Sequence, residues 1–188
     1  MIKATETKLK GCFVIEPQVF EDERGYFFES YNQREFCKAI GQEVHFVQDN
    51  RSFSKKGVLR GLHFQKEEHA QAKLVTVLSG RIQDVVVDLR KDSPTFAQHF
   101  CIELDAANKK QLFVPRGFAH GFLTLSESAE VFYKCDNYYN YENESGIKYD
   151  DSRIAINWQI NQKGLILSDK DKKWPDFSKQ PLSFLEES

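Results

Sequence analysis

The sequence predicts an all-β domain of the sandwich or barrel class. Short β-rich segments recur along the chain with turn residues between them. A single stretch, residues 32–40, reads as a helix. The composition completes the expectation: 188 residues, 40% apolar, with 16 Phe, 7 Tyr and 2 Trp, can fill one core and exclude low-complexity disorder.

Residues 11–20 (GCFVIEPQVF) read as a strand and, after the turn-like Glu21-Asp22-Glu23-Arg24-Gly25, residues 26–30 read as another. In residues 32–40, Phe36 and Ile40 share a helix face and Gly41 supplies a stop. Residues 73–78, a Ser79-Gly80 turn and residues 82–89 (IQDVVVDL) give a hairpin signal, since Ser-Gly supplies the positive φ of a tight turn. Residues 98–104, 110–115, 121–125 and 130–135 continue the strands at short spacing. Beyond Asn137 the chain becomes polar and tyrosine-rich and ends in a charged tail. No repeat or linker divides it, so one domain over residues 1–188 is expected.

Charge and cysteine usage narrow the function classes. With 26 Lys plus Arg against 28 Asp plus Glu, the net charge of −2 removes any global electrostatic case for nucleic acid or an anionic membrane. Cys12, Cys37, Cys101 and Cys135 are scattered without a CxxC pair and read as free thiols packed as small apolar residues. The N-terminal stretch alternates polar and apolar residues instead of forming a signal-peptide core, and no run approaches the ~20 apolar residues of a membrane span. A cytoplasmic protein is expected.

Two stretches carry chemistry. In Arg60-Gly61-Leu62-His63-Phe64-Gln65, strand alternation places Arg60, Leu62 and Phe64 on one face and Gly61, His63 and Gln65 on the other. Gly61 then leaves room for a ligand beside His63, although a hydrogen-bonded structural histidine has the same spacing. The second stretch, Val114-Pro115-Arg116-Gly117-Phe118-Ala119-His120-Gly121-Phe122, resembles the second signature of the cupin superfamily. That resemblance implies a β jelly roll with its ligand cavity inside the barrel and a few short helices. Gln65 stands where a metal-binding cupin would carry its second histidine. His63 and His120 alone make an incomplete donor set, so no metal is expected.

A more specific resemblance rests on an ordered set of motifs. These are Gln48-Asp49-Asn50, residues 60–65, Lys73, Asp92-Ser93-Pro94-Thr95-Phe96, residues 114–122, and Leu167-Ser168 with Lys170-Asp171. Together they resemble the dTDP-4-dehydrorhamnose 3,5-epimerase family from about residue 11 to residue 175. The resemblance implies a jelly-roll core at about residues 11–135 and a C-terminal segment, 136–188, that returns to the active site.

The implied reaction inverts C3 and C5 of a dTDP-linked 4-keto-6-deoxy sugar. Both carbons flank the C4 ketone, so their protons leave to form enolates and no redox cofactor is required. The sequence carries no GxGxxG fingerprint. Such chemistry needs a base, a donor to the enolate oxygen and an acid on the opposite face.

By resemblance His63 is the base, and imidazole, with an unperturbed pKa of about 6.5, suits proton abstraction near neutrality. Asp171 is implied to orient it, Lys73 to meet the C4 oxygen and Tyr133 to be the acid. Read without the resemblance, Asp171 is one charge in a solvated run, Lys73 an exposed strand-start lysine and Tyr133 a core tyrosine. Arg24, Arg60 and Lys170 match positions near the nucleotide and its phosphates, where guanidinium offers a planar multi-donor fork. Glu29, Gln48, Asp49, Asn50, His120 and Glu144 match further binding positions. Tyr139 matches a tyrosine that stacks on thymine, with Tyr138 the alternative one residue away, and Phe27 is implied to line the same pocket. The family's homodimer implies that Arg24, Phe27 and Glu29 act in the partner's pocket. Rival expectations are a C3-only epimerase or one for another nucleotide-linked 4-keto sugar, a metal-dependent cupin enzyme, and a sugar-nucleotide binding module without catalysis.

Overall fold

Residues 2–180 are described by a computed structural model. β1 (Lys3–Glu6) and β2 (Phe13–Glu16) start the first sheet. Pro17 cannot donate to a ladder, so the run expected as one strand over residues 11–20 ends there. It resumes as β3 (Val19–Asp22), which pairs only with β4 (Gly25–Phe28) in a separate two-stranded ribbon. α1 (Gln33–Ile40) follows, capped by Asn32, whose Oδ1 accepts from Glu35 N at 3.3 Å, and stopped by Gly41 at φ 72°. Its Phe36, Cys37 and Ile40 pack into an apolar cluster with Ile15, Leu74 and Phe113.

The remaining strands are β5 (Gln48–Lys55), β6 (Leu59–Gln65), β7 (Lys73–Ser79), β8 (Arg81–Asp88), β9 (His99–Asp105), β10 (Gln111–Val114), β11 (Phe118–Thr124), β12 (Ser128–Cys135) and β13 (Glu144–Gly146). They complete one sheet ordered β1-β2-β10-β7-β12-β5 and form a second ordered β13-β6-β11-β8-β9. Both are antiparallel, as an all-β jelly roll of the cupin type requires. The sheets reach past the expected core on both sides, through β1 and β13.

The hairpin expected around Ser79-Gly80 does not form. Gly80 makes the turn, at φ 74°, but β7 pairs with β10 and β12 while β8 pairs with β11 and β9. The turn carries the chain from one sheet to the other. Val75 and Val77 of β7 thereby meet Ile82 and Val86 of β8 face to face across the barrel interior, together with Leu104, Leu112, Phe122 and Val131. Each such fully buried side chain stabilises the fold by about 1.5–3 kcal/mol.

β8 is buried along nearly its whole length, which explains its uninterrupted apolar run. Val85 and Val87 face outward into a second cluster with Leu62, Phe64, Ile147, Ile154 and Phe177. The covering layer is the C-terminal segment. Among the described residues no helix is long and apolar enough to cross a membrane.

Candidate active site

The barrel interior changes from apolar to polar along β7 and β12. Cross-strand rows run Ser52–Val131–Val77, then Asn50–Tyr133–Val75, then Gln48–Cys135–Lys73. Residues opposite one another in a ladder share a face. Gln48, Asn50, Tyr133 and Lys73 therefore lie together at one end of the interior.

The facing sheet contributes the histidines. His63 of β6 stands directly opposite His120 of β11, and on its other side opposite Gly146 of β13, with Glu144 opposite Gln65. A register shift between His120 and Phe122 pairs Phe122 with Arg60. This bulge brings Arg60 to the His63 face, contrary to the alternation expected for an uninterrupted strand. Gly61 also serves differently from expectation. A Cβ there would lie 2.5 Å from Gly121 Cα, so this glycine permits close approach of β6 and β11 and leaves no room for a ligand.

His63 Nε2 is hydrogen-bonded to Asp171 Oδ1. Ser168 Oγ donates to Asp171 Oδ2 at 2.7 Å and accepts from the Asp171 amide at 3.1 Å. Burial opposes ionisation of Asp171, yet the His63 contact and the Ser168 hydroxyl outweigh it and hold the carboxyl below its usual range. Within the charged run, Asp169 and Lys172 pair at the surface, at 3.2 Å, whereas Asp171 is 3% exposed. Asp171 is thus not part of the solvated face that the bare run suggests. Among the described residues His63 Nδ1 makes no hydrogen bond, which leaves it for a substrate.

Lys73 keeps some contact with solvent but is enclosed by protein atoms, and loss of hydration holds its ammonium below the usual lysine range. Its Nζ lies 5.9 Å from the centre of the Tyr133 ring. Burial pushes the Tyr133 phenol upward, which favours its protonated, donating form.

A hydrogen-bonded chain lies beside this pair. Gln48 Nε2 donates to Asn50 Oδ1 at 3.0 Å, and Gln48 Oε1 accepts from the Tyr139 amide at 3.0 Å. The Tyr139 hydroxyl donates to Glu144 Oε2 at 2.8 Å, and Lys170 Nζ to Glu144 Oε1 at 2.7 Å. Burial works against the Glu144 anion, but these two donors outweigh it and hold the carboxyl below its usual range. The Tyr139 phenol is pushed up to about 12 by desolvation and its acidic partner. Tyr139, 48% exposed, is thus tied to Gln48 and Glu144, while Tyr138 is 66% exposed. Arg60 stands at the rim, held by Ser54 Oγ at 3.0 Å and the Phe53 carbonyl at 3.2 Å.

Four expected site residues lie elsewhere in the single chain. Asp49 points to the outer face of its sheet, where Lys134 Nζ binds it at 2.9 Å. Arg24 pairs with Asp22 at the ribbon's turn, Phe27 is 69% exposed, and Glu29 accepts from Asn32 Nδ2 at 3.1 Å. A cavity of about 530 Å³ lies under the ribbon, lined by Tyr26, Phe28, Thr76, Phe132 and Lys134. It occupies the sheet face opposite Lys73 and Tyr133 and is separate from the histidines.

Three contributors carried no sequence-based role. Asp84 is fully buried and holds His120 Nε2 at 2.6 Å; a carboxylate set among the apolar residues of IQDVVVDL demands a partner and could have been found on that ground. Ser168 lay within a noted motif, but Trp174, whose ring meets His63, had no pattern to reveal it. Gln65 Oε1 accepts from the Asn140 amide at 3.0 Å, so its carboxamide anchors a loop. Among the described residues no group of three His, Cys, Asp or Glu side chains could hold a metal.

The family model for dTDP-4-dehydrorhamnose 3,5-epimerase matches residues 6–179. The chain belongs to this family. The epimerase of Salmonella typhimurium is 54% identical over 162 residues, 86% of this chain and 88% of that one. The crystal structure of the Elizabethkingia anophelis epimerase superposes with a TM-score of 0.91 at 56% identity, covering 94% of this chain and 97% of the other. The Legionella pneumophila 3,5-epimerase, solved in complex with dTDP-4-keto-L-rhamnose, gives 0.91 at 42% identity over 95% and 94% of the two chains.

Proposed function

We infer that this chain is a dTDP-4-dehydrorhamnose 3,5-epimerase, converting dTDP-4-dehydro-6-deoxy-D-glucose to dTDP-4-dehydro-L-rhamnose in dTDP-L-rhamnose biosynthesis. The observation that carries the reading is the His63–Asp171 pair placed across the barrel from Lys73 and Tyr133, in a chain of this family. A site for binding alone has no use for a base, a desolvated cation and a protonated phenol together.

His63 Nδ1 removes the proton from a carbon beside the C4 ketone. The electron pair moves into the enolate, whose oxygen faces the Lys73 ammonium; in a partly desolvated site such a charge stabilises it far more than in water. Tyr133 donates its hydroxyl proton to the opposite face of the same carbon. The imidazolium then releases its proton and the phenolate regains one from solvent, and the cycle repeats at the second carbon. Asp171 keeps the Nε2–H tautomer and stabilises the imidazolium. Arg60 and Lys170 supply cations for the diphosphate, Tyr139 a ring for the thymine, and Gln48, Asn50, His120 and Glu144 polar contacts to the substrate.

The chain works as a cytoplasmic homodimer of single-domain subunits. The ribbon exposes Phe20, Tyr26 and Phe27 at 56%, 58% and 69%, an aromatic surface suited to a second copy. In that arrangement Arg24, Phe27 and Glu29 complete the partner's pocket. The assignment is tested by incubating the protein with dTDP-4-dehydro-6-deoxy-D-glucose and reading ring-proton couplings by NMR. Inversion at C3 and C5 is expected; inversion at C3 alone makes the chain a monoepimerase, and no inversion by folded protein overturns the assignment.

A further inference from the structure

We propose that Gln65 is a positioning residue for the nucleotide: it fixes the loop that presents Tyr139 and so sets how tightly the dTDP end of the substrate is held. The inference rests on the epimerase reading, which gives Tyr139 the thymine, and adds a residue to it. Gln65 stands where a metal-binding cupin would carry a histidine ligand, and it is only 6% exposed.

The loop of residues 136–143 carries the chain from β12 in one sheet to β13 in the other. Two consecutive backbone amides in it are taken by carboxamide oxygens from opposite sheets. Gln48 Oε1, from β5, accepts from the Tyr139 amide, and Gln65 Oε1, from β6, accepts from the Asn140 amide, both at 3.0 Å. The Tyr139 backbone is therefore pinned between the two sheets. Gln71 Nε2 holds the start of the loop by donating to the Asn137 carbonyl at 2.8 Å, and the Lys66 amide holds its end by donating to the Asn143 carbonyl at 2.9 Å. Between these points Asn140 Oδ1 accepts from the amides of Glu142 and Asn143 at 2.9 and 3.2 Å and turns the chain toward β13.

The residue type fits the task. A loop amide outside a ladder needs an acceptor from elsewhere, and a glutamine side chain reaches it without adding charge. A glutamate would reach as far but would set a second anion opposite Glu144, in a site for a diphosphate. Gln65 also lies on the His63 face of β6, because Phe64 between them packs into the outer cluster. One strand thus carries the base and, two residues on, the anchor of the thymine platform. Tyr139 itself remains 48% exposed, with its hydroxyl on Glu144, which leaves the ring open to a base.

The consequence is a split between binding and chemistry. An unpinned loop presents Tyr139 only part of the time, and apparent affinity falls by that fraction, while substrate once bound still meets His63. Calorimetric titration with dTDP and steady-state kinetics on the dTDP sugar read the two separately. Gln65→Met keeps the length of the side chain and removes the amide's acceptor. It is expected to weaken dTDP binding and raise KM by about fivefold to tenfold, with kcat within about twofold of wild type. In a Tyr139→Ala background the same substitution should weaken dTDP binding by less than about twofold, because it acts through that ring. Unchanged dTDP affinity in folded Gln65→Met overturns the proposal, as do a fall in kcat as large as the loss of affinity and full additivity with Tyr139→Ala. Should Gln65→Met fail to fold, Gln71→Leu, which frees the Asn137 carbonyl of the same loop, takes its place with the same expected pattern. Failure of the wild-type protein to bind dTDP overturns the underlying epimerase reading instead.

Discussion

His63 and Asp171, 108 residues apart in the chain, are joined through Nε2 and Oδ1, and this contact ties the C-terminal segment to the interior of the barrel. β6 delivers the imidazole. The segment that crosses the outer face of the same sheet returns at its edge, where Ile166 bridges Val58, to deliver the carboxylate. The fold's outer layer and its chemistry are therefore one construction.

Asp171→Asn should remove the charge behind the base while leaving the side chain's shape. The expected loss in kcat is about 10²–10⁴, as when a carboxylate behind a catalytic histidine is neutralised, with KM little changed. Steady-state kinetics on the dTDP sugar give the answer, and a variant retaining wild-type kcat contradicts the orienting role.

Tyr133→Phe separates removal of a proton from its replacement. Abstraction by His63 survives, so deuterium still enters recovered substrate, but inverted product forms about 10²-fold more slowly because a positioned acid is missing. Inversion at the wild-type rate means that another group protonates the far face.

Acid stability should report the two depressed carboxyls. Asp171 and Glu144 both have folded-state values below their ordinary ones. Their contribution is fully present above the unfolded values, about 3.9 and 4.3, and is lost as pH falls through the lower folded values. Urea unfolding of Asp171→Asn and Glu144→Gln from pH 6 downward should therefore show less loss of stability below about pH 4 than the wild type. Parallel curves contradict the assignment.

The ribbon makes a prediction about assembly. Phe27→Asp places a charge in an aromatic surface and should shift the protein toward monomer in sedimentation. Arg24→Ala should raise KM while proton abstraction persists at saturating substrate, the pattern of lost binding. Equal loss of exchange at saturation places Arg24 in the chemistry instead.

The legibility of the sequence followed the range of the forces involved. Local signals were reliable: Asn32 and Gly41 bounded α1, and the turn residues separated the strands. Pairing was not local. The Ser79-Gly80 turn looks the same whether it folds a hairpin or turns a corner between sheets, and what decides is burial of Val75 and Val77 against Ile82 and Val86. The site divided in the same way. His63 and His120 stood in recognisable strands, but Asp171 was hidden among surface charges because its burial depends on Ser168 and a distant imidazole. Alternation misassigned Arg60 because a bulge resets the faces of β6. Trp174 was silent because one tryptophan in an irregular segment has no periodicity to betray what it touches.

The central claim is that one imidazole, His63, serves both carbons beside the ketone. Site-resolved deuterium incorporation tests it most directly, with wild-type protein and His63→Ala incubated in deuterium oxide with dTDP-4-dehydro-6-deoxy-D-glucose. Incorporation at both C3 and C5 by the wild type and at neither by the folded variant is the expected result. Exchange persisting at either carbon in folded His63→Ala would show that a second base operates and contradict the account.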